Sequence, residues 1–107
     1  MENDELIINS AADFLTKIRN EDEVTVHFTK QDGKLRTMRC TLDFRKIPKK
    51  YKPKNVDVPK ILKLITDKRI LHVFDLDVMG WRVVPFDRTD WMDTKTKRYR
   101  IKREKEK

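Results

Sequence analysis

The sequence predicts a mostly-β chain, α+β only in a minor sense: a small β-barrel with an N-terminal helix and a short helix in its linker. Three observations lead there. Residues 24–29, "VTVHFT", alternate apolar and polar side chains without a break. Asp32-Gly33 follows, a dipeptide that favours tight hairpin turns, and "LRTMRCTL" returns from it. A second strand pair, "ILHVFD" and "WRVVPF", flanks a turn at "DVMG". A small open sheet leaves unpaired edges, and closure into a barrel removes them.

Taken in order, residues 5–19, "ELIINSAADFLTKIR", put Leu6, Ile7, Ala11, Phe14, Leu15 and Ile18 near helical spacing. Ser10 can cap a helix over 11–19, or the helix can begin earlier, after Asn3. "NEDE" breaks that pattern. The strand after it directs Val24, Val26 and Phe28 to one face and Thr25, His27 and Thr29 to the other. Pro48, Pro53 and Pro59 among lysines make residues 43–59 a loop. Pro59 suits the first helical position, and Ile61, Leu62, Leu64 and Ile65 supply an apolar stripe for a short helix. Pro85 cannot donate to a ladder, so its strand reads as an edge or a bulge. Tyr99 and Ile101 alternate with charged residues, a pattern that can add a last strand before "EKEK" frays. The expected organisation is a helical segment over 1–22, the barrel over 23–92 with its basic linker 43–59, and a basic tail over 93–107. Val24, Val26, Phe28, Met38, Cys40, Leu42, Leu71 and Val73 are expected to share one core.

Composition narrows the function. With 107 residues, 37% hydrophobic and 41% charged, the chain can build one domain with a modest core. It holds no apolar run long enough to span a membrane and no signal-peptide core, and its start, "MENDELI", is acidic, which points to a cytoplasmic protein. Cys40 is the one cysteine, and His27 and His72 are far apart, so no metal set and no cofactor are expected. Asp75, Asp77, Asp87, Asp90 and Asp93 cluster around the second hairpin but lack the activating lysine of a metal nuclease, and turn aspartates account for them more simply. No nucleophile stands at the spacing of a base. The expectation is a protein that is not an enzyme.

The net charge of +8 conceals a separation along the chain. Residues 45–54, "RKIPKKYKPK", hold six lysines and arginines and no acid; residues 95–107, "KTKRYRIKREKEK", hold eight against two glutamates. The rest is therefore net acidic. Lys49, Lys50, Lys52 and Lys54 around Tyr51 combine phosphate neutralisation with a ring on which a base could stack. Lys97, Arg98, Arg100, Lys102 and Arg103 around Tyr99 repeat the arrangement. Arg36 and Arg39 fall on opposite faces of one strand. Arg39 shares the Thr37/Thr41 face with Thr25, His27 and Thr29 and is a candidate phosphate contact, while Arg36 reads as structural. The plain alternatives are ion pairs to Asp32, Asp43 or Asp75 for the arginines and a solvated, solubilising linker for the lysines. Trp81 reads as core, and Trp91 as partly exposed.

The segment "VTVHFTKQDGKLRTMRCTL", followed after a basic linker by "LHVFDLDVMGWRVVPFDR", resembles a family of small proteins in tailed, T4-like phages. That family has an SH3-like (Sm-like) β-barrel fold related to the WYL domain. The resemblance is carried by Thr25 to Leu42, Val73 to Leu76, Gly80 to Arg82, and Phe86 with Asp87. Val84 and Pro85 depart from the family's pattern. The resemblance implies the fold and a phage origin, hence the cytoplasm of an infected host cell, and implies no activity. The expected function is non-enzymatic binding of nucleic acid, single strand or RNA, through the basic segments. The alternative is an interaction module that meets an acidic surface of a host or phage protein, as a host-takeover or transcription modulator. A homo-oligomer built by edge pairing is a third option, and no membrane partner is expected.

Overall fold

The structure, a computed structural model, describes residues 6–102. One sheet of seven strands carries the fold: β1 (Leu6–Ile8), β2 (Val24–Thr29), β3 (Leu35–Thr41), β4 (Ile70–Asp75), β5 (Gly80–Pro85), β6 (Thr89–Asp93) and β7 (Arg98–Ile101). Helix α1 spans Ala11–Arg19 and α2 spans Val58–Lys63. In space the strands run β1-β7-β6-β2-β3-β4-β5, antiparallel throughout except for the parallel β1–β7 pair.

Local chemistry sets most of the boundaries. Ser10 adopts an extended backbone and its hydroxyl accepts from the Asp13 N–H, which starts α1 where the sequence put the cap. Leu6 and Ile7 do not extend that helix backward. They lie in β1, where Leu6–Ile8 pair with Tyr99–Ile101. At the first hairpin Gly33 takes φ 88°, a conformation without penalty only for glycine, and its N–H closes the turn on the Lys30 carbonyl. Asp57 caps α2 through the Lys60 N–H, with Pro59 in the first turn. A π-helical turn over Leu64–Lys68 then ends at Arg69 in the left-handed region.

The core lies between α1 and one face of the sheet. Phe14, Leu15 and Ile18 of α1 meet Val24, Val26, Phe28, Met38, Cys40, Leu71 and Val73, with Leu42 packed partly buried against them. Phe14 and Phe86 touch at 5.3 Å between ring centroids. Tyr99 and Ile101 belong to this core as well. The alternation around Tyr99 and Ile101 thus does form a last strand, Arg98–Ile101, joined to β6 by residues 94–97.

Three expectations need correction. The sheet does not close: β1 and β5 are its two edges, the first only three residues long and the second ending at Pro85, where a missing donor does no harm. There are seven strands among the described residues rather than five, because β1 and β6 join the two hairpins and β7. Trp81 does not enter the main core. It forms a satellite cluster with Tyr51 and Phe74, ring centroids 5.5–5.6 Å apart, and its indole N–H donates to the Tyr51 carbonyl at 2.8 Å. That cluster holds the linker down beside an apolar cavity of about 490 Å³ lined by Leu42, Phe44, Val56, Ile61, Leu64 and Ile70.

Two outcomes follow from this packing. Phe28→Ala should cost about 3–5 kcal/mol, read from the urea midpoint, because it removes a buried ring from the core. Burial, reinforced by Asp75 and Glu23, pushes the Cys40 thiol up to about 12. Its folded value thus exceeds the unfolded value of about 8.5. The contribution is complete below the unfolded value and is lost as pH rises toward 12. Urea midpoints at about pH 8 and about pH 10 should fall further apart in the wild type than in Cys40→Ala.

Candidate nucleic-acid interface

Strand alternation decides which side chains the sheet offers to solvent. With Val24, Val26 and Phe28 facing inward, β2 must show Thr25, His27 and Thr29 on the other side. Residues opposed across a ladder share a face, so register extends this surface strand by strand. Thr25 opposes Arg39 on β3 and Asp93 on β6; His27 opposes Thr37 and Trp91; Asp93 opposes Arg98, and Trp91 opposes Arg100 on β7. Two rows cross the sheet: Arg39, Thr25, Asp93, Arg98, and Thr37, His27, Trp91, Arg100. Arg39 and Arg98 stand three interstrand steps apart, about 14 Å at the backbone.

The rows are tied by ion pairs. Arg98 forks onto Asp93, Nε to Oδ1 at 2.6 Å and Nη2 to Oδ2 at 3.2 Å, while its guanidinium carbon lies 4.8 Å from the Trp91 ring centroid. His27 Nε2 is 2.9 Å from Asp93 Oδ2, and Nδ1 is 3.2 Å from the Thr37 hydroxyl. A carboxylate has nothing to donate, so the neutral imidazole carries its proton on Nε2 and accepts from Thr37 at Nδ1. The Arg98 hydrogen bond, with a smaller contribution from His27, holds the Asp93 carboxyl below its ordinary range despite the opposing effect of burial. At the other end of that row Arg39 meets Asp77 at 3.2 Å and Glu23 at 3.4 Å, and both raise its already high affinity for the proton. A hydroxyl, an imidazole and a carboxylate in sequence also describe a nucleophile with its base and orienting acid. Here they lie on an open sheet face, and the described cavities are lined by other residues.

The candidate residues divide into groups. Arg39, Arg98, Arg100 and Lys102 share the outer face, because Tyr99 and Ile101 turn inward and send their neighbours out. Lys97 is exposed in the β6–β7 connection. Arg103 lies outside the described residues. Lys49, Lys50, Lys52 and Lys54 are exposed on the linker, which Tyr51 packs against Phe74 of β4. Tyr99 is not a stacking ring: it is 8% exposed, in the core, with the Lys17 ammonium 5.6 Å from its centroid. Tyr51 is half-buried against Phe74, with Lys50 over its ring at 5.1 Å, so its ring mainly anchors the linker. Thr41 leaves the polar surface too. It is buried, its hydroxyl donating to the Asp22 carbonyl and accepting from the Asp43 N–H.

Arg36 is structural. Its Nη2 donates to Asp75 at 3.0 Å, and the other oxygen of that buried carboxylate accepts the Asp77 and Val78 N–H groups, fixing the second hairpin turn. Asp77, Asp87 and Asp93 likewise serve Arg39, Arg69 and Arg98, so the aspartate cluster is in large part a set of arginine partners. Trp91 is partly exposed, as expected, and proves the central aromatic of the face. The signal that could have placed it there is "DWMD" directly before the basic strand, with Met92 turned to the core.

Comparison with known proteins adds the family and no assigned activity. A search of curated proteins and a search of solved structures each gave no match. Residues 12–89 match the model of the WYL_2 family, described as an Sm-like SH3 beta-barrel fold. The match runs from α1 through both hairpins to the start of β6, most of the chain, and leaves β7 beyond it. On that match, this chain belongs to the WYL_2 family of Sm-like SH3 β-barrel folds.

Proposed function

We propose that this chain is a non-enzymatic nucleic-acid-binding protein that receives a single strand, DNA or RNA, across the outer face of β3, β2, β6 and β7. The observation that carries the reading is β7 itself. Its alternation puts Arg98 and Arg100 on the outer side of one strand, with Lys102 exposed just beyond its end, beside the partly exposed Trp91. A row of cations next to an aromatic ring suits a strand whose phosphates need neutralising and whose bases are unpaired. The linker lysines add further positive charge. The likeness of both hairpins to a tailed-phage family supports an accessory role in the cytoplasm of the infected cell.

A second reading rests on the β5 edge. Val78, Met79 and Val83 are exposed beside an open strand, a surface that suits addition of a strand from a protein partner or a second copy.

Salt dependence separates the two. If Lys49, Lys50, Lys52, Arg98, Arg100 and Lys102 meet phosphates, log affinity for single strands should fall with log salt at a slope near −4, at about 0.7 per contact. Neutralising Arg98, Arg100 and Lys102 should halve that slope and weaken all sequences alike, since phosphate contacts carry no base information. Titrations at several salt concentrations check this, and unchanged affinity after charge reversal at all six positions would move the assignment to the protein-partner reading. The same preparation should cleave no strand in magnesium or manganese; cleavage abolished by Asp75→Asn or Asp77→Asn would make the protein a nuclease.

A further inference from the structure

We infer that the Arg98 guanidinium is a stacking platform: an unpaired base of a single strand lies on its outer face, while Trp91 supports its inner face. The inference deepens the nucleic-acid reading and rests on it. Three contacts fix the plane before any ligand arrives. Nε and Nη2 grip both oxygens of Asp93, and the guanidinium carbon sits 4.8 Å from the indole centroid. Asp93 is held in turn by His27, and His27 by Thr37. The side chain remains 53% exposed even so. With the indole against one side and half of the side chain exposed, the guanidinium keeps surface for a ligand.

Geometry separates this role from phosphate binding. A phosphate meets the N–H edge of a guanidinium, whereas a base meets its broad face, so one side chain serves both. That face is a weakly hydrated, delocalised plane, and guanidinium planes stack on bases at little desolvation cost. A lysine at this position would keep the charge and lose the plane.

The experiment compares oligothymidylate with an abasic oligomer of equal length, which keeps the phosphates and lacks the bases. Wild-type protein should bind the base-bearing strand about 5- to 150-fold more tightly, the range for one stacked base. Arg98→Lys should bring that ratio close to one, with an unaltered urea midpoint showing an intact fold. Retention of the full ratio in Arg98→Lys would overturn the inference, above all if Trp91→Ala abolished it, because the base would then sit on the indole. A wild-type ratio of one with a steep salt slope would also overturn it and leave the phosphate-binding reading standing. Failure of the wild type to bind either oligomer would remove both.

Discussion

The two faces of β2 govern the rest. Val24, Val26 and Phe28 are buried under α1, and a period of two residues leaves no freedom in where Thr25, His27 and Thr29 must go. A slip of one residue would put three polar groups into the core, so the hydrophobic requirement fixes the register of the central strand. Register then transmits that choice outward to Arg39 on one side and to Asp93, Trp91, Arg98 and Arg100 on the other. The candidate face is thus a by-product of the core, positioned by residues that never reach it.

The ion pairs on that face act as orienting devices more than as stabilisers. Exposed pairs contribute about 0–1 kcal/mol each. Their effect is to remove rotamer freedom from long side chains before a partner arrives. The fork of Arg98 on Asp93 and the double engagement of Arg39 by Glu23 and Asp77 both do this. Among the described residues, no carboxylate restrains Lys49, Lys50, Lys52 or Lys54 in this way.

Both hairpins, α1 from Ala11, the short helix after Asp57 and the strand around Tyr99 could be read from the sequence, because each has a local signal: strict alternation, Asp-Gly, a serine cap, a proline. The strands β1 and β6 could not. Leu6 to Ile8 is a bare apolar run with no period, and its helical spacing to Ala11 and Phe14 is accidental; only its distant partner β7 makes it a strand. In β6 the register shifts between His27 and Phe28, so Thr89 and Met92 point inward with Asp90 and Trp91 between them, and alternation is lost. At the candidate site the cationic residues were legible as charge, but their grouping was not. Tyr99 looked like an aromatic between two cations, whereas the same alternation that exposes Arg98 and Arg100 sends Tyr99 into the core.

The parallel pairing of β1 with β7 also sets an order of events. The first described strand finds its partner almost a whole sequence away, across a loop-closure distance far greater than that of either hairpin. On a ribosome, both hairpins and α1 can therefore assemble while Leu6–Ile8 still waits and β6 still lacks its neighbour. The arginine-bearing strand is the last piece set in place and the one that recruits β1 to the sheet. A chain stalled or clipped before Arg98 would hold both hairpins and α1 but lack the strand on which Leu6–Ile8 pair, so its first strand would have no place in the sheet.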